Sequence, residues 1–293
     1  MKTILSYLFS CLLTAGMMVA CTDDVTPSVE QPAAYLAIEA KVEEGGVNRA
    51  AIDSTGFQKG DRIGIFVRDA EGNPYLSDQN CSNLLATFDG NQWVMDTRIA
   101  LQADKKAMVY AYAPYDEQVM TNGDSIAIDL SRQLDILHGN AGDVTPEHPT
   151  ANIGFRHALA RISVSVLRDA EDVGEGRLTR VRVQNGGESD CVSMAGKMSL
   201  VNGGIEKEAG DEACVVAEMD SLLSVEATVI DLLVLPTDNG MEEEISSADI
   251  LLTIDGKDYV KTVSRPVWQA GRQYIYPIKL RRTPAEPANP EEE

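Results

Sequence analysis

Apolar and polar residues alternate with a period of two along most of this chain. In Arg161-Ile162-Ser163-Val164-Ser165-Val166 the apolar residues occupy every second position, which predicts a strand with one buried face. Ile126-Ala127-Ile128-Asp129-Leu130 repeats the pattern, as do Ile250, Leu252 and Ile254, and then Tyr274, Tyr276, Ile278 and Leu280. Two runs, Ile63-Gly64-Ile65-Phe66-Val67 and Met108 to Tyr112, are apolar on both faces and predict central strands. Turn formers separate these runs: Glu71-Gly72-Asn73-Pro74, Asp89-Gly90-Asn91, Asn122-Gly123-Asp124, Asn185-Gly186-Gly187, Asn202-Gly203-Gly204 and Asp255-Gly256-Lys257. Many short strands at close intervals, with no long amphipathic helix among them, predict an all-β sandwich or barrel.

Tyr35-Leu36-Ala37-Ile38-Glu39-Ala40-Lys41-Val42 contains helix-favouring Ala, Glu and Lys. A helix would carry only the thin stripe Tyr35, Ile38 and Val42. A strand places Leu36, Ile38, Ala40 and Val42 on one face, so a strand is predicted. His138 to Ile153 is rich in Gly, Pro, Asn and Asp and lacks periodicity, and reads as a seam between two domains. Thr283 to Glu293 (TPAEPANPEEE) has the composition of a disordered tail.

The N-terminus follows another rule. Lys2 precedes an almost unbroken apolar run from Ile4 to Ala20, which reads as a signal peptide over residues 1–20. Met18-Val19-Ala20 immediately before Cys21 resembles the lipobox of bacterial lipoproteins, which implies acylation of the Cys21 thiol. Each acyl CH₂ buried in a bilayer contributes about 0.8 kcal/mol, so several chains make a stable anchor. Asp23 and Asp24 resemble the acidic export signal of Bacteroidota surface lipoproteins. Residues 21–34 then read as a lipidated tether.

The net charge of −21 sets the protein against nucleic acid, whose phosphates would repel it. Catalytic chemistry finds little support. The three histidines, His138, His148 and His157, have no metal-ligand spacing, and His157, entering a strand, reads as structural. No nucleophile elbow, P-loop or dinucleotide fingerprint is present. Carboxylate pairs carry no specificity among 46 acids. Asp69 to Asn73 and Asp238 to Gly240 offer oxygen ligands without the spacing of a calcium loop. Neither an enzyme, a metal nor a cofactor is therefore expected. Trp268 reads as a core residue, whereas Trp93 reads either as core or as an exposed ligand contact. Beyond Cys11 in the signal run and Cys21, the cysteines are Cys81, Cys191 and Cys214. Cys191 and Cys214 could bridge neighbouring strands, or all three could be small buried hydrophobes.

Three pieces combine into a family resemblance. The first is the lipobox ending in Cys21. The second is Arg49 followed by Phe57-Gln58-Lys59-Gly60-Asp61-Arg62-Ile63-Gly64-Ile65-Phe66. The third is Phe155-Arg156-His157-Ala158-Leu159-Ala160-Arg161-Ile162 together with Trp268, Gly271, Tyr274 and Tyr276. In order and spacing these resemble the fimbrillin family, the type V pilus subunits and related surface lipoproteins of Bacteroidota. The resemblance implies two tandem transthyretin-like β-sandwich domains, here residues 35–150 and 151–282, followed by the tail 283–293. It implies outer-membrane export as a lipoprotein and then cleavage by an Arg-specific protease after the first strand. A strand from another subunit would fill the groove so opened, a case of β-strand addition. On this sequence the displaced strand carries Leu36, Ile38, Ala40 and Val42, and the cut falls between Arg49 and Ala50. Otherwise Arg49 is an ordinary surface arginine. The Pro- and Glu-rich stretch after Leu280 opposes ladder pairing, which departs from a shaft subunit's donor strand. That favours a tip or accessory fimbrial subunit with a role in adhesion. The alternative is a surface lipoprotein that never polymerises and binds a glycan or host protein. The partners expected are other pilus subunits, the outer membrane through the lipid, and a surface ligand on a host or bacterium.

Overall fold

The structure, a computed structural model, describes residues 34–43, 56–119, 121–122, 125–169, 174–187, 189–208, 213–237 and 247–280. Its elements are almost all strands: β1 (Ala37–Val42), β2 (Arg62–Arg68), β3 (Leu84–Phe88), β4 (Trp93–Met95), β5 (Ala107–Ala113), β6 (Thr121–Asn122), β7 (Ser125–Asp129), β8 (Leu137–Val144), β9 (Thr150–His157), β10 (Ala160–Arg168), β11 (Arg177–Asn185), β12 (Ala195–Ser199), β13 (Ile205–Lys207), β14 (Cys214–Leu222), β15 (Thr228–Val234), β16 (Ser247–Ile254), β17 (Lys257–Ser264) and β18 (Gln273–Leu280). Among the described residues a single 3-10 turn, Leu130–Arg132, follows β7. No helix among the described residues is long and apolar enough to cross a membrane.

Seven strands form one sheet in the order β1-β9-β8-β5-β2-β3-β4. Its two ends, β1 and β4, approach each other, so the sheet curls around its interior. That interior holds Leu36, Ile38, Ile63, Ile65, Val67, Trp93, Val109, Ile153 and Phe155. The opposite face of the same sheet feeds a second cluster through Phe66 and Tyr112. This explains why β2 and β5 lack polar alternation. Ile63, Ile65 and Val67 point into one core while Phe66 points into the other, so neither face meets water.

The second cluster is enclosed by three further sheets, ordered β15-β10-β18, β14-β11-β16-β17 and β13-β12-β7-β6. β10 contributes Ile162, Val164 and Val166, all fully buried, and pairs antiparallel with β15 and parallel with β18. Trp268 lies in this core at 1 % exposure, its Nε1–H donating to the Tyr276 hydroxyl at 2.8 Å. β7 pairs with β12, so Ile126 and Ile128 pack in the second cluster.

His138 to Ile153, read as a seam, contains most of β8 and the start of β9. Its turn residues serve the connection only: Thr145 and His148 exchange backbone bonds of 3.1 and 3.2 Å around Pro146 and Glu147. Gly139 is required by close packing, since a Cβ there would meet the Gly154 carbonyl oxygen at 2.7 Å. Position 150, the expected end of a first domain, is the first residue of β9, which pairs with both β1 and β8.

Candidate functional site

Alternation in Leu36 to Val42 produces a strand with an apolar inner face, and β1 occupies the end of its sheet. The chain enters through a switch of partners. Leu36 N donates to Ile99 O at 2.9 Å and Leu101 N to Ala34 O at 2.8 Å, whereas Ala37 N donates to Pro149 O at 2.9 Å. Backbone amides alternate in direction along a strand. Residues 34–36 are therefore held by 99–101 on one side, and 37–42 by β9 on the other. The β1–β9 register is parallel, from Ala37 opposite Thr150 to Val42 opposite Phe155.

Leu36 and Ile38 are 7 % and 5 % exposed, and Ala40 and Val42 are half-buried. The four alternate with the exposed Ala37, Glu39 and Lys41 and so share one face of the strand. Glu39 and Lys41 face outward. Beyond β1, Glu43 N donates to Phe155 O at 2.8 Å and Glu43 Oε2 accepts from Arg156 Nε at 2.6 Å. The Glu43 carboxylate rests on Gly154, where no side chain stands in its way. The trough behind β1 is aromatic. Phe57 meets Trp93 edge-on at 4.9 Å and Phe155 at 5.3 Å, and Phe88 lies 5.3 Å from Trp93. Trp93 is thus a core residue, at 8 % exposure. Burying Leu36 and Ile38 contributes on the order of 3–6 kcal/mol, which is what release of β1 would give up before any replacement strand arrives.

Cys21, Arg49 and Ala50 lie outside the described residues. Cys81, Cys191 and Cys214 are free thiols. The Cys191 thiol donates to Ser247 O at 3.1 Å, and Cys214 sits on β14 opposite Gln184. Burial pushes the Cys214 thiol up from its ordinary value. His157 Nδ1 lies 2.8 Å from Asp135 Oδ2, a link between β9 and the segment before β8 that no sequence spacing predicts. His138 is half-buried, which lowers its pKa, and the Arg156 guanidinium adds to the effect. Among the described residues no group of three His, Cys, Asp or Glu side chains gathers in a metal-binding arrangement.

A model of a family described as fimbrillin-like matches residues 48–291. Among solved structures, a candidate cell adhesion protein from Bacteroides uniformis ATCC 8492 is similar with a TM-score of 0.60 at 20 % identity, over 84 % of this chain and 93 % of that one. A candidate cell adhesion protein from Bacteroides ovatus ATCC 8483 gives 0.61 at 16 % identity, over 85 % and 93 %. A fimbrial protein from Bacteroides vulgatus ATCC 8482 gives 0.51 at 15 % identity, over 84 % and 95 %. At such identities the likeness is one of fold. The search of curated proteins returned no match. The family match spans all of the described sequence from Gly56 onward, and the chain belongs to the fimbrillin-like family.

Proposed function

We propose that this protein is a fimbrial subunit of tip or accessory type, with a role in adhesion, carried to the outer-membrane surface as a lipoprotein anchored at Cys21. In this reading cleavage between Arg49 and Ala50 severs the covalent link between β1 and the rest of the protein. β1 then leaves, and a strand from another subunit replaces it. The observation that carries the reading is the placement of β1: the last strand of its sheet, with Ile38 and Ala40, and Leu36 just before it, packed in the cluster that holds the aromatic trough. Release of β1 breaks one ladder, that with β9, together with the two backbone bonds that tie Ala34 and Leu36 to Leu101 and Ile99, and the strand's apolar positions specify which sequence fits. Family membership supports a fimbrial or adhesive role at the cell surface. The two hydrophobic clusters support a division into tandem transthyretin-like sandwiches.

Mass spectrometry of the protein from its native membrane tests the reading. Assembly by strand exchange expects a species that begins at Ala50. A single species that keeps an acylated Cys21 and an intact Arg49–Ala50 bond would instead establish a surface lipoprotein that does not polymerise.

A further inference from the structure

Where β1 ends, a cleft of about 250 Å³ opens between Val42, Phe57, Asp61, Arg62, Ala113, Pro114, Asp135 and Leu137. Its size is below that of sites for drug-sized ligands, which begin near about 300 Å³, so it suits a single side chain. Five of the eight lining residues are apolar. Phe57 is fixed between Trp93 and Phe155, so that wall is rigid. The remaining lining is charged and unequal in sign. Asp61 is oriented by the Gln58 amide, which donates to its Oδ2 at 2.8 Å. Asp135 Oδ2 lies 2.8 Å from His157 Nδ1, the Asp135 side chain is one-third exposed, and its Oδ1 has no hydrogen-bond partner among the described residues. Among the described ion pairs neither carboxylate is joined to a lysine or arginine. Arg62, the lone cationic side chain in the lining, holds its guanidinium over the Tyr115 ring at 5.4 Å.

A neutral occupant would desolvate two carboxylates without compensation, and an anion would be repelled. A divalent metal lacks a third ligand of the usual kind. What satisfies both walls and rim is an aliphatic stem that ends in a positive charge. We infer that this cleft binds the side chain of a lysine presented by a partner polypeptide, with the stem against Phe57, Pro114 and Leu137 and the ammonium between Asp61 and Asp135. The net charge of −21 favours approach of such a basic partner. Val42 is in place as one wall, so binding needs neither cleavage at Arg49 nor release of β1, and the inference stands apart from the assembly reading.

The test is a ¹H–¹⁵N titration of the purified full-length protein with three probes: a capped Gly-Ala-Lys-Ala-Gly peptide, the same peptide with norleucine in place of lysine, and free n-butylammonium. The lysine peptide should shift the amides of Asp61, Arg62 and Leu137 and bind at least ten-fold more tightly than the norleucine peptide. Asp61→Asn and Asp135→Asn should each weaken it about ten-fold, and Leu137→Phe, which fills the cleft, should abolish it with thermal unfolding retained. Equal binding of the norleucine peptide, or lysine binding unchanged in both Asn variants, overturns the inference. Binding of n-butylammonium ten-fold tighter than the peptide also overturns it, because the site would then serve free amines.

Discussion

Ile38 lies opposite Ala151 in the parallel register between β1 and β9, and both are buried although β1 is the last strand of its sheet. The contact makes β1 dependent on side-chain burial more than on its ladder, which runs along one edge only. Ile38→Ala should lower the unfolding free energy by about 2–3 kcal/mol, the lower part of the range for buried Ile truncation, because an edge site can partly collapse. Glu39→Ala, one residue away and facing solvent, should change it by less than about 0.5 kcal/mol. Urea unfolding of both variants measures the contrast. Equal effects would remove the distinction between the faces of β1.

That two-faced pattern is why so much of the fold was legible in the residues alone. Alternation marks β7, β10, β16 and β18, and Asp255-Gly256 marks the turn that joins β16 to β17. The doubly apolar runs of β2 and β5 mark the strands between two cores. Pairing was not legible. A parallel partner such as β9 for β1 lies more than a hundred residues away in sequence, and nothing local specifies it. β8 and β9 escaped notice because Gly139, Gly142 and Gly154 break the alternation. At Gly139 and Gly154 the glycines are present because neighbouring groups approach too closely for a side chain. The inward residues of the candidate site followed from period two. The Asp135–His157 link and the cleft at Val42 depend on tertiary placement.

Tyr112 packs its ring against Gly64, where a Cβ would collide with it. Its hydroxyl lies 2.8 Å from Asn83 Oδ1 and 3.0 Å from Asp116 O, two acceptors for its one proton, while Asp116 N donates to it at 3.2 Å. Gly64→Ala should therefore destabilise by about 1–3 kcal/mol through overpacking. Burial holds the phenol pKa up at about 12. A raised folded-state value stabilises below the unfolded value near 10 and is lost as pH climbs toward 12. A shift of that size corresponds to at most about 2–3 kcal/mol. Tyr112→Phe should flatten the alkaline decline in stability between those limits, as followed by denaturant midpoints.

At the acid end the relevant groups are aspartates held by backbone amides. Asp255 accepts from Arg177 N at 2.8 Å and Gly176 N at 2.9 Å, tying the start of β11 to the β16–β17 turn. These bonds lower its pKa, as the Gln92 and Asn91 amides do for Asp89 and the Ser131 amide does for Asp129. A depressed value means the stabilisation is full above the ordinary carboxylate value of 3.8 and fades as pH falls below it. Asp255→Asn should thus unfold less steeply than the parent between about pH 4 and pH 2. An unchanged slope would show that Asp255 ionisation does not differ between the folded and unfolded chain.

The three thiols give a chemical prediction. Cys81 and Cys191 are buried at 2 % and 5 % exposure, and Cys214 is half-buried with its pKa raised. Thiolate is the reactive form, so all three should resist alkylation in the native protein and react fully in denaturant without prior reduction. Differential alkylation followed by peptide mass spectrometry reads each site. A Cys191–Cys214 bridged peptide would contradict the free-thiol geometry.

The assembly reading makes the sharpest demand on β1, because exchange requires the strand to depart. Glu39 and Asn152 are register partners on the outer face of the β1–β9 pair, both exposed. Neighbouring strands run about 4.8 Å apart, within the Cα separation of about 4.4–6.8 Å that a disulfide spans. Glu39→Cys with Asn152→Cys should lock β1 in place without touching the inward residues that fill the trough. Expressed in the native bacterium, the locked protein should reach the surface and be cut at Arg49, yet keep its N-terminal fragment and be absent from fimbriae. Reduction should release the fragment and restore incorporation. Either single-cysteine variant should assemble normally, which separates loss of strand mobility from loss of the side chains. If the oxidised double variant enters fimbriae as well as the parent does, β1 does not leave, and the protein joins its neighbours through another surface.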